Sequence, residues 1–121
     1  MELALKCVQE VEQEEEKVRQ IYGAMCHSFP VLVRTCGLCQ AIAFSADKAQ
    51  SDDRKRAKAH QLLLNHVAKI LNLNTERLLE EIVRIDAPTY LRYTRQVLSA
   101  WGYFKRFAVS ILKVQPGGER E

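Results

Sequence analysis

Apolar side chains recur at alternating spacings of three and four from the first turn of the chain. Ala4, Cys7, Val11, Val18, Ile21 and Met25 form this series, interrupted only at Glu14. Such spacing predicts a helix from about Glu2 to Met25 with a seam for a partner helix. Ser28 and Pro30 make a start signal for a second helix, which continues through "VLVRTCGLCQAIAF" to the polar break "SADKAQSDD". A third is expected to begin near Asp52 and Asp53 and to carry "AHQLLLNHVAKIL" to Asn72. A short fourth, "TERLLEEIVRI", follows a turn at Asn74 and Thr75, and Asp86 with Pro88 caps and starts a fifth that runs towards Lys113. The only β-branched cluster is "VLV" at 31–33, and no alternating run is bounded by hairpin turns. The expectation is an all-α fold, a compact bundle of about five helices forming a single domain over 1–121, with 115–121 as a flexible tail.

Length agrees with that, because 121 residues suffice for one real core and are too few for two. Apolar residues make up 47% and charged residues 27%, which is ordinary globular composition and argues against disorder. No apolar run approaches the 18 or so residues of a membrane span, and "MELALKCVQEVEQEEE" is acidic where a signal peptide would be basic. A cytoplasmic protein with no membrane partner is expected, its four cysteines reduced.

Charge changes the picture more by distribution than by total. Residues 1–16 hold six glutamates against Lys6, whereas 88–113 hold Arg92, Arg95, Lys105, Arg106 and Lys113 and no acid. Helix surfaces normally mix signs, since neighbours three and four apart then attract. On the fifth helix positions 92, 95, 99, 102, 106 and 113 share one side, and Tyr90, Thr94, Val97, Trp101, Phe104, Ala108 and Ile111 trace the other, expected to be core. At 1.5 Å per residue the basic stripe is roughly 30 Å long, enough to follow several phosphates. Gly102 at its middle costs about 1 kcal/mol in a helix interior, which makes sense if another backbone comes close there. Arg54, Lys55, Arg56 and Lys58 form a second run at the start of the third helix, next to the positive end of its dipole. Charge alone supports a nucleic-acid strand and an acidic protein about equally, with an opposite-sign partner at each end of the charge dipole.

Catalytic chemistry finds little to build on. Cys36-Gly-Leu-Cys39 has the C-x-x-C spacing of half a zinc site or a thiol redox centre. The remaining candidates Cys7, Cys26 and His27 form no second pair, and no βαβ setting is present, so the two cysteines read as small core residues. His27, His60 and His66 show no metalloprotease pairing and read as surface or capping residues. The glutamates from Glu10 to Glu16 read as a solvated helix face, with Glu15 paired to Arg19. No catalytic residue, metal site or cofactor is expected.

With these residues laid out, the chain resembles the small helical subunit of the type III-B CRISPR effector, the fifth subunit of the Cmr complex. Tyr90, Thr94, Leu98, Tyr103, Lys105, Arg106, Phe107 and Ala108 occupy the places of that family's C-terminal pattern. Pro30, Gly37, Leu38, Gln40, Ala43 and Phe44 match its upstream block. Cys36 and Cys39 stand where Asn and Gly are usual, Tyr103 replaces the usual Trp, and Gln96 sits where an acid is common. The two blocks cover about a third of the chain, and neither is catalytic.

The resemblance implies a non-enzymatic helical subunit that stacks head to tail in copies among other Cmr-type effector subunits. It would line the channel in which guide RNA pairs with target RNA, and the basic stripe would meet phosphates without reading bases. On this reading Arg92, Arg95, Arg106 and Lys113 contact RNA, with Lys105, Arg54, Lys55, Arg56 and Lys58 as further candidates. The alternative is a scaffold that docks an acidic partner protein without touching RNA.

Overall fold

The computed structural model describes residues 1–116; part of the expected tail, 117–121, lies outside the described residues. Six α-helices and one 3-10 turn make up the described chain, and no strand occurs among these residues. They are α1 (Glu2–Glu12), α2 (Glu16–Cys36), α3 (Leu38–Lys48), α4 (Arg54–Leu71), the 3-10 turn Thr75–Arg77, α5 (Leu78–Arg84) and α6 (Ala87–Ser110).

The all-α expectation holds, while two of the expected boundaries move. The first predicted helix is two. Gln13 and Glu14 close a turn back onto Glu10 and Val11, and Glu15 turns extended before α2 starts. The interruption of the apolar series at Glu14 thus marks a break. On either side of it Ala4, Cys7, Val11, Val18, Ile21 and Met25 are all buried, as their spacing predicts.

The second boundary was expected at Ser28 and Pro30, yet α2 runs straight through both. Pro30 is itself buried, and that packing offsets the one helical hydrogen bond its ring nitrogen cannot donate. The chain bends instead at Gly37, whose φ of 93° and ψ of 157° are all but closed to residues with a Cβ. An added Cβ there would also lie 3.1 Å from the Tyr90 hydroxyl.

Three expected starts are confirmed by their caps. The side chains of Asp53, Asn74 and Asp86 accept from the backbone N–H groups of Arg56, Glu76 and Thr89 at 3.2, 2.9 and 2.9 Å. At its far end α4 stops at Asn72 in the left-handed region, and Leu73 N–H reaches back to the Ala68 carbonyl.

Helix α2 lies at the centre, packed on α3, α4 and α6, and α1 lies along α6. One hydrophobic cluster draws on every helix. Its densest part is aromatic: the Trp101 ring stacks on Phe104 at 4.3 Å and meets Phe29 at 4.8 Å. Past α6 the chain reverses at Lys113, where φ is 62°, and returns Val114 onto Gly23 of α2. His27 Nε2 donates to the Val114 carbonyl at 2.9 Å, fastening this return.

Candidate nucleic-acid interface

The physics of α6 fixes which of its sides is free. Val97, Trp101, Phe104 and Ala108 are buried, and Tyr90, Thr94 and Ile111 are half-buried beside them, so the predicted core side is the core side. Asp86 caps the first turn, and the Tyr90 hydroxyl accepts from Cys39 N–H at 3.0 Å, tying that turn to α3. The helix is therefore held at its start and along its whole inner side. Arg92, Arg95, Ser99, Gly102 and Arg106 must then point outward, and all five are exposed.

Lys105 is exposed as well, about a quarter-turn off the stripe. None of the ion pairs among the described residues involves Arg92, Arg95, Lys105 or Arg106. Arg92 alone has an ordering contact, its guanidinium 5.7 Å from the Tyr93 ring centroid.

Other predicted residues do not join this face. Lys113 lies beyond the end of α6 and shares a hollow with Glu12, Glu16 and Arg19, so its surroundings are acidic and it does not extend the stripe. Arg54, Lys55 and Lys58 border a different hollow with Glu14 and Glu15. There Lys55 Nζ is 4.0 Å from Glu15, and Arg56 Nε is 3.7 Å from its own cap, Asp53. Glu15 thus pairs with Lys55 rather than Arg19, whose guanidinium caps the Glu14 carbonyl. Nor do the acidic and basic segments occupy opposite ends, because α1 packs against α6 and their surfaces adjoin.

Two of the predicted surface histidines are core residues. His60 is buried with its Nδ1 3.3 Å from Ser45 Oγ, and His66 has no exposed surface. His66 Nε2 lies 2.9 Å from Glu10 Oε1 and Nδ1 lies 2.6 Å from the Tyr22 hydroxyl. A carboxylate only accepts, so Nε2 carries the proton and donates, leaving Nδ1 to accept from the phenol. Burial holds His66 below its ordinary pKa despite Glu10, and the hydrogen bond from His66 holds Glu10 below the usual carboxylate range. Burial also keeps Tyr22 well above 10, so it stays a phenol able to donate. Tyr22, His66 and Glu10 form a linear relay, buried at Tyr22 and His66 and open to solvent at Glu10, that braces α1, α2 and α4.

The cysteines divide differently from expectation. Cys36 is exposed and Cys39 half-buried, because the Gly37 corner separates them onto two helices. Cys7 and Cys26 are buried, and burial raises the Cys7 thiol to about 11 and Cys26 further still. Both are inert small apolar residues. Among the described residues no group of three or more His, Cys, Asp or Glu side chains is placed to hold a metal ion. Among the described residues no helix is long and apolar enough to cross a membrane.

Comparison with known proteins bears on the same chain length. A family model described as CRISPR-associated protein (Cas_Cmr5) matches residues 1–111. A curated relative from Thermus thermophilus, named CRISPR system Cmr subunit Cmr5, is 38% identical over 107 residues, covering 81% of this chain and 88% of the relative. The X-ray crystal structure of a Cmr5 family protein from the same organism superposes with a TM-score of 0.74 at 36% identity, over 91% of this chain and 94% of that one. Sequence and fold agree across nearly the whole described length, and the chain belongs to the CRISPR-associated Cmr5 family.

Proposed function

We propose that this protein is a non-catalytic structural subunit of a cytoplasmic type III-B CRISPR ribonucleoprotein, folding as one domain and placing the outer face of α6 against RNA phosphates. The observation that carries the reading is the set of four exposed cations on α6, Arg92, Arg95, Lys105 and Arg106, which take part in no ion pair among the described residues. Uncompensated like charge along one rigid helix costs stability in the free protein and is repaid by a polyanion. Arg54 and Lys58, exposed beside the Glu14 and Glu15 hollow, and Lys55, Arg56 and Lys113, each next to a carboxylate, supply weaker secondary contacts.

Sequence discrimination is left to pairing between guide and target, and the cations of the stripe touch phosphates without reading base edges. Copies stack head to tail along the channel beside the other effector subunits. The adjoining acidic surface of α1, with exposed Glu2 and Glu12, helps to orient one copy on the next.

The test is gentle purification of the tagged protein from its own cell, with sequencing of co-purified RNA and identification of co-purified proteins. Short guide RNAs sharing a common 5′ tag, recovered with larger effector subunits, are the expected result. Protein partners without RNA would assign the stripe to an acidic protein surface instead.

A further inference from the structure

On the wet side of α6 the cations share a groove with an aromatic ring. The groove is shallow and open, lined on α6 by Arg92, Arg95, Gln96, Ser99, Ala100 and Tyr103, with Met1 and Ile70, from the start of the chain and the end of α4, as an apolar wall. Tyr103 is 37% exposed, and its ring takes part in none of the ring contacts among the described residues. A partly exposed ring on a rigid helix, two to three turns from two guanidinium groups on the same side, has the two parts of a site for single-stranded nucleic acid. One part is a stacking platform and the other a pair of phosphate contacts.

A face that met only the phosphates of a duplex would have no use for the ring or the apolar wall. Bases inside a duplex stack on each other and offer no face to a side chain, whereas an unpaired base can be splayed out onto one. Resting on the RNA-facing role of α6 proposed above, we infer that this groove takes a short unpaired stretch of an RNA strand, one base against Tyr103 and phosphates of the neighbouring nucleotides on Arg95 and Arg92. An acidic peptide would satisfy the arginines and leave the ring and the apolar wall unused.

The experiment measures binding of the full-length protein to a labelled twelve-nucleotide oligouridylate, to a blunt RNA duplex of the same length, and to polyglutamate. The expected order is single strand tighter than duplex, with polyglutamate weakest. Tyr103→Ala should weaken single-strand binding about tenfold, Tyr103→Trp should retain it, and neither should change its salt dependence. The ring is exposed, so these variants keep the fold, and unchanged helical circular dichroism checks that. If Tyr103→Ala binds the single strand as well as the parent while Arg95→Glu with Arg106→Glu does not, the groove assignment is overturned and the phosphate-binding face stands. If the arginine variant also binds normally, if polyglutamate matches RNA, or if the parent protein binds no RNA probe, both are overturned.

Discussion

Tyr22, His66 and Glu10 illustrate what single residues decide in this fold. Two of the three are fully buried polar groups whose only adequate partners are each other, so removing one strands the next. Tyr22→Phe deletes the donor to His66 Nδ1 and should cost about 1–3 kcal/mol in urea unfolding, with the helical signal of the native state unchanged. The pH dependence follows from the same relay. His66 is held below its unfolded value of 6.5, so between those two values the unfolded chain binds more protons and stability rises with pH. Glu10 is held below 4.5, and its contribution is present above 4.5 and lost as pH falls through the folded value. Lys69, 3.8 Å from Glu10, adds to both effects. The melting temperature should therefore decline from pH 6.5 downward, and His66→Gln should make that decline shallower. Parallel melting curves for parent and variant from pH 7.5 to 4.5 would show that the relay is not the sensor. None of this was legible beforehand, because Tyr22 and Glu10 lie 44 and 56 residues from His66 in sequence and the spacing of a lone histidine says nothing about contacts so remote.

Elements were legible where their signals are local. Asp53 and Asp86 read as helix starts and Asn74 as the turn before one, and all three side chains cap, because a cap is a contact across only two or three residues. The apolar stripe of α6 was equally readable, since Val97, Trp101, Phe104 and Ala108 follow the helical period without a gap. Breaks inside a continuous pattern were harder. The apolar series resumes in phase at Val18, seven residues after Val11, so its single interruption at Glu14 reads as part of one helix, and Pro30 imitates a helix start that tertiary packing overrides. Two glycines now separate by environment. Gly37 sits at a backbone angle that essentially only glycine adopts, so Gly37→Ala should destabilise by about 1–3 kcal/mol. Gly102 lies mid-helix with nothing within 4 Å of an added Cβ, so Gly102→Ala should stabilise the free protein by about 0.5–1 kcal/mol. Thermal unfolding of the two variants side by side checks the opposite signs.

Across the whole molecule, charge segregation was visible in the sequence but its geometry was not. Counting placed an acidic start and a basic end apart, whereas the packing of α1 on α6 sets them side by side. Part of the acid is consumed internally, Glu10 by His66 and Lys69 and Glu15 by Lys55, which leaves Arg95, Lys105 and Arg106 of α6 as the uncompensated surface, while Arg92 feels the Asp86 cap. A direct comparison of two charge reversals follows. In Arg95→Glu with Arg106→Glu, both changes fall on that uncompensated face. Each lost phosphate contact lowers the slope of log affinity against log salt by about 0.7 on a single strand, so the double variant should bind weakly and with a slope flatter by about 1.4. In Lys55→Glu, the lost cation already faces Glu15, so the change should disturb stability more than RNA affinity. Titrations of both variants between 50 and 300 mM salt separate a phosphate-binding α6 from diffuse attraction to net positive charge, because diffuse attraction would weaken roughly in step with the charge removed from either place.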